Sequence, residues 1–317
     1  MNEQVVIKKI SVVIPVYFNE LNLPPLRERL LSALEPEEFD FEIVLVDDGS
    51  QDGSYSILKE FSAKDPRFKV IKLSRNFGSF IACLAGLRNI TGDCAVVISA
   101  DLQDPPELIP KMVQQWREGH KIVLAVREER EDSLAVRAMS AIYYKLMRRF
   151  ALRNMPVGGF DFFLVDKVAV DIIANIKEKN TSLPGLVLWI GFPKKILYYT
   201  RKERELGRSM WTFSKKIKYF IDSFTAFSYF PLRLASLAGT ATAILGFFYG
   251  LLTVVLQLFF HKAPEGWSAL MVVVLVLGGI QLLTLGVIGE YLWRNFDETR
   301  NRPAYIIEET VGIKKAV

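Results

Sequence analysis

Two long stretches of this 317-residue chain, residues 234–260 and 267–289, hold no charged side chain. A helix needs about 20 residues to cross about 30 Å of hydrocarbon, and each stretch exceeds that. Core helices of soluble proteins are rarely so long and so free of charge. The pattern therefore predicts a two-helix membrane anchor closed by the tight loop His261-Lys262-Ala263-Pro264-Glu265-Gly266. It also accounts for a hydrophobic share of 50% and a mean hydropathy of +0.21.

Basic residues set the expected orientation. Residues 194–218 carry nine Lys or Arg against two Glu, and Arg294, Arg300 and Arg302 follow the second stretch, whereas the loop offers only Lys262. By the positive-inside rule both flanks face the cytoplasm. The N-terminus runs through a short polar stretch into a strand pattern, with no cleavable-signal pattern expected. Cys83 and Cys94 fall in helix and strand patterns of a cytoplasmic domain and are expected to be reduced packing residues. The net charge of +5 is modest. Its clustering beside the apolar stretches favours anionic lipid over nucleic acid as a partner.

Upstream, strand and helix patterns alternate. Apolar strands are expected at residues 11–16, 41–46, 68–73, 94–98 and 121–126, with helices at 23–34, 54–63, 79–89 and 107–118. Repeated βα units with near-continuous apolar strands imply an α/β fold, a mostly parallel sheet covered on both faces. A longer helix is expected over 133–152, and 157–200 reads as less regular.

In such sheets ligands bind beyond the carboxyl ends of the strands. Those ends carry Pro15-Val16-Tyr17-Phe18-Asn19-Glu20, Asp47-Asp48-Gly49-Ser50, Ser74-Arg75-Asn76-Phe77-Gly78 and Ser99-Ala100-Asp101-Leu102-Gln103-Asp104-Pro105-Pro106. Each alone reads equally as turn chemistry, and Asp101 and Asp104 as turn and cap residues. Together they offer an aromatic face, carboxylates for ribose hydroxyls, and oxygen donors suited to a hard cation such as Mg²⁺ or Mn²⁺. Residues 211–230 place Phe213, Ile217, Phe220, Phe224 and Phe227 on one helical face and Lys215, Lys218 and Asp222 on the other. That is the pattern of an amphipathic helix in the headgroup layer, or of one packed on the preceding domain or another subunit.

These motifs resemble glycosyltransferase family 2, with its Rossmann-like GT-A fold. The likeness is to its polyprenyl-phosphate group, bactoprenol glucosyltransferase-like and related to dolichol-phosphate mannose synthase. Gly289-Glu290-Tyr291 and Asn301-Arg302-Pro303-Ala304-Tyr305-Ile306 extend it to the C-terminus. The resemblance implies a nucleotide-sugar pocket built from Pro15, Tyr17, Glu20, Asp47, Asp48 and Arg75. It implies a divalent cation at Asp101 and Gln103, with Ser99 where many relatives carry an acidic residue. Asp161 would be the catalytic carboxylate, followed by Phe163 where relatives often have a basic residue. Arg137 with Ser140 would meet an acceptor phosphate, joined by Arg127 and Arg130. The competing reading of these arginines is a solvated face paired with Glu128, Glu129, Glu131 and Asp132.

The expected enzyme is a metal-dependent, inverting hexosyltransferase of the bacterial inner membrane, moving glucose from UDP-glucose to a polyprenyl phosphate and forming a homo-oligomer. Expected regions are a catalytic domain over 1–208, an interfacial helix over 209–231, the anchor over 232–293 and a cytoplasmic tail over 294–317. A processive polysaccharide synthase generally carries Gln-x-x-Arg-Trp, which is absent; Gln115-Trp116-Arg117 does not fit it. A non-catalytic scaffold is disfavoured by Asp101, Gln103 and Asp161 standing together. Only His120 and His261 exist, which leaves a histidine base improbable.

Overall fold

The computed structural model describes residues 9–128, 134–201, 213–260 and 266–313. They divide into two compact units, Met1–Ser223 with Pro303–Val317, and Phe224–Arg302.

The first unit is built on eight strands: β1 (Lys9–Val16), β2 (Asp40–Asp47), β3 (Phe68–Leu73), β4 (Cys94–Val97), β5 (Ile122–Arg127), β6 (Phe162–Asp166), β7 (Lys194–Tyr199) and β8 (Ile307–Val311). Their order is β7-β5-β6-β4-β1-β2-β3-β8. The pairs β1–β2, β1–β4, β2–β3 and β5–β7 are parallel, whereas β6 runs against β4 and β5, and β8 against β3. The sheet is thus mostly parallel, as the sequence patterns predict. Strands β1 and β2 are buried almost throughout because helices cover both faces, and this is why they read as continuous apolar runs.

Helix α1 (Leu23–Leu34) starts with prolines in its first turn and buries Leu23, Leu26, Leu30 and Leu34, the three- and four-residue spacing of one helical face. Then come α2 (Ser54–Lys64), α3 (Ser79–Leu87), α4 (Ile109–Arg117) and α5 (Leu134–Phe150). The pattern read from residue 107 begins as a single 3₁₀ turn at Pro106–Leu108, and α4 follows it. Cys83 and Cys94 are buried free thiols.

Two readings change. Residues 157–200 are regular: β6, α6 (Lys167–Asn175), α7 (Leu183–Trp189) and β7 occupy them. Their elements are short and β6 is reversed, so the βα rhythm is lost. The tail read from residue 294 is not a separate piece: helix continues to Thr299, and β8 then pairs with β3 as an edge strand. Lys59 and Lys72 on that side meet Glu309 and Glu308.

Helix α8 (Phe213–Phe227) is followed by α9 (Phe230–Phe260) and α10 (Trp267–Thr299). Among the described residues two helical spans, Phe230–Leu256 and Leu270–Thr299, are long and apolar enough to cross a bilayer. Thr240, Thr242 and Thr253 donate their hydroxyls to carbonyls three or four residues earlier, so these three hydroxyls are satisfied within their own helix.

Candidate active site

The carboxyl ends of β1 to β5 and β7 lie on one edge of the sheet, and the start of the reversed β6 joins them there. At the first two ends, Ser50 Oγ accepts from the Phe18 N–H and Ser54 Oγ from the Asn19 N–H. Glu20 accepts from Gly53 N at 2.9 Å, at the start of α2. Phe18 has φ +55° and stands 40% exposed, edge-on to Tyr17, so this loop presents an aromatic surface.

Asp48 is fully used. Its two oxygens accept from Phe77 N at 2.7 Å and Gly78 N at 2.9 Å, tying the β2 loop to the β3 loop. Burial pushes its carboxyl up to about 6, against the lowering effect of those two N–H bonds. Asp47, fully buried, is also raised by burial; one of its oxygens accepts from Ser50 N, and the other has no hydrogen-bond partner among the described residues. Gly49 permits the approach of the two loops: it has φ +72°, and a Cβ there would stand 2.5 Å from the Arg75 backbone. The Arg75 guanidinium lies 4.3 Å from the Phe77 ring centroid.

Beyond β4 the Ser99 hydroxyl lies 2.7 Å from Asp101 Oδ1 and 2.8 Å from Asp104 Oδ2. A hydroxyl has one hydrogen, so it donates to only one of them at a time. Leu102 between them has φ +62°, unusual for a branched residue, and its carbonyl accepts from Arg29. Gln103, half-buried, donates its N–H to Asp101 Oδ1. Two buried carboxylates so close need positive charge, and Arg201 supplies some, 3.7 Å from an oxygen of each. With Gln103, they form a hard-oxygen donor set that fits a divalent cation.

On the other side of the edge, Arg127 at the end of β5 pairs with Asp161 at 2.6 Å. Tyr199, ending β7, donates to Asp104 and hydrogen-bonds Arg127. Burial and Asp104 hold the Tyr199 hydroxyl well above its ordinary range, hence protonated. Carboxylates on the two sides are thereby linked through Asp104, Tyr199, Arg127 and Asp161. The Asp161 loop is fixed by close packing: Gly159 has φ +67°, and a Cβ there would fall 2.1 Å from the Tyr144 hydroxyl on α5.

The strand-end residues Pro15, Tyr17, Glu20, Asp47, Asp48, Arg75, Asp101, Gln103, Arg127 and Asp161 therefore share one edge. Arg127 is already paired with Asp161, rather than lying on a solvated face. Arg130 lies outside the described residues, as do the side chains of Arg137 and Ser140 on α5. Tyr199 and Arg201 are missing from the sequence reading. Recognising β7 would have supplied them, because they end a parallel strand at the same edge.

The glycosyl transferase family 2 profile matches residues 11–173, just over half of the chain. The chain belongs to glycosyltransferase family 2. The sequence motifs resemble that family, and this chain is a glycosyltransferase. A second profile, the GtrB C-terminal hairpin, matches residues 230–294, the α9–α10 pair. The chain is 41% identical over 305 residues to the uncharacterized glycosyltransferase YkcC of Bacillus subtilis (strain 168), covering 96% of this chain and 94% of YkcC. It is 34% identical to the SfII prophage-derived bactoprenol glucosyl transferase of Shigella flexneri, over 95% and 98% of the two chains. A mannosyltransferase of Pyrobaculum calidifontis, solved with GDP-Man and Mn²⁺, aligns with a TM-score of 0.44 at 14% identity, over 94% of this chain and 77% of its own.

Proposed function

We propose that this glycosyltransferase moves glucose from UDP-glucose to a polyprenyl phosphate at the cytoplasmic face of a bacterial membrane, with inversion and with a divalent cation. The observation that carries the reading is the pairing, on one sheet edge, of the Asp101–Asp104 oxygens with the Arg127–Asp161 pair. The bactoprenol glucosyl transferases among the relatives, matched over nearly their whole length, supply the substrate class.

In this reading Tyr17, Glu20 and Arg75 receive the nucleotide, while Asp47 and Asp48 hold the loops that shape its pocket. Asp101, Gln103 and Asp104 would hold the cation, which neutralises charge on the leaving diphosphate. Arg127 meets the incoming acceptor phosphate. A phosphate monoester is already anionic at neutral pH and needs little deprotonation. Asp161 therefore orients the acceptor and takes a proton when it arrives as the monoanion. Arg137 and Ser140 complete the acceptor site in this proposal, with both chain flanks cytoplasmic by the positive-inside rule.

The test is transfer of radiolabelled glucose from UDP-glucose to polyprenyl phosphate by the purified full chain. The expected product is a lipid carrying one sugar, with inverted anomeric configuration, and its formation stops in chelator. A long polymer, or no lipid-linked sugar with any nucleotide sugar, overturns the reading.

A further inference from the structure

Arg201 meets its carboxylates differently from Arg127. Arg127 is 2.6 Å from Asp161, a charge-assisted hydrogen bond. Arg201 is 3.7 Å from Asp101 and 3.7 Å from Asp104, beyond hydrogen-bond length, and its buried Nε has no hydrogen-bond partner among the described residues. It is placed by charge and not locked by geometry. Its side chain is 27% exposed, against 1% for Asp104, so it has a route toward solvent.

We propose that Arg201 is an internal cation that competes with the divalent metal for Asp101 and Asp104, so that metal and nucleotide diphosphate load together. The proposal rests on the reading of Asp101 and Asp104 as the metal site. Before loading, the guanidinium balances the two carboxylates. A divalent cation on the same oxygens repels it and must displace it. A diphosphate gives the displaced guanidinium a better partner, because its planar fork bonds two phosphate oxygens at once. Metal affinity is then low in the free enzyme and rises with the donor by more than the diphosphate's own ligation would provide.

The experiment measures Mn²⁺ binding to the detergent-solubilised full chain by electron paramagnetic resonance, with and without UDP. Loosely held ion pairs of this kind predict that Arg201→Gln binds Mn²⁺ about two- to fivefold tighter than the parent without UDP. Its enhancement by UDP should shrink by a similar factor. Arg201→Lys, which keeps the charge but not the bidentate fork, should bind Mn²⁺ like the parent without UDP; tightening equal to that of Arg201→Gln would mean a loosened loop and overturn the proposal. So would unchanged or weaker Mn²⁺ binding by Arg201→Gln while Asp101→Asn still abolishes binding. If Asp101→Asn binds Mn²⁺ as the parent does, the metal reading itself fails, and the proposal with it.

Discussion

Asp161 is 62% exposed while the side chain of its partner Arg127 is only 7% exposed, so the carboxylate faces solvent and the guanidinium anchors it from behind. Loss of a general base typically costs about 10²–10⁴ in rate. Asp161→Asn should therefore lower kcat over that range while UDP-glucose affinity, measured by calorimetry, stays within a few-fold. Equal loss of affinity and turnover would make Asp161 a donor-site residue. Asp48 offers a second test, through pH. Its carboxyl, raised by burial from 3.8 to about 6, binds a proton more tightly folded than unfolded. Its contribution to stability is thus complete below about pH 4 and is lost as pH rises through 6, a change of about 3 kcal/mol for such a shift. Asn at this position cannot titrate. The melting-temperature advantage of the parent over Asp48→Asn should shrink between pH 4 and 6 and level off above 7; a constant difference would sink the idea.

Opposite the active edge, in the amino-terminal half of β2, Glu42 shows how elements are held together without taking part in chemistry. Its side chain, 1% exposed, accepts from Ser11 on β1 and from Thr91, and meets Lys69 on β3 and Lys9 on β1. Burial alone would raise its carboxyl, but Lys69, Ser11 and Thr91 outweigh that and hold it at about 2. Its contribution is therefore present above about pH 4.5 and lost as pH falls toward 2. Breaking a buried pair by removing one partner costs about 3–5 kcal/mol, so Glu42→Gln should melt well below the parent at pH 7, with the gap closing in acid. A gap independent of pH would count against this account. A lone acidic residue in an apolar strand gives no sign of such a network, because its partners come from three separate segments. Strands β1 to β5 were legible because each is a compact apolar run followed by turn residues. Strand β6 was not, because its apolar run Phe162-Phe163-Leu164-Val165 follows Gly158-Gly159 and leads into a short helix. Asp161 was found from its motif alone. Its place at the active edge became intelligible only once β6 proved antiparallel, so that its start lies where the other strands end.

At the scale of the molecule, the chain leaves the first unit after Ser223, forms two helices long enough to cross a bilayer, and returns to it at Pro303 to add β8 beside β3. The apolar pair is thus inserted into the catalytic fold and not appended to it. Simple truncation before α9 removes an edge strand as well as the apolar helix pair, and leaves the backbone of β3 unpaired on one side. Two shortened chains separate the effects: residues 1–227 alone, and residues 1–227 joined by a flexible linker to residues 303–317. The linked form should melt higher than the bare truncation, because it keeps the β3–β8 ladder, including Ser74 N donating to Ile306 O. The surface pairs Lys59–Glu309 and Lys72–Glu308 should add little, since exposed pairs contribute about 0–1 kcal/mol. Both forms should bind UDP, yet neither should keep pace with the full chain on a long polyprenyl phosphate embedded in vesicles. On a short, water-soluble prenyl phosphate the linked form should approach the full chain, because Asp101, Asp104 and Asp161, the carboxylates of the proposed mechanism, all lie in the first unit. Equal melting temperatures would show that β8 contributes nothing to the fold. Full activity of the linked form on the vesicle-borne acceptor would show that the two apolar helices do not serve to bring enzyme and lipid phosphate together.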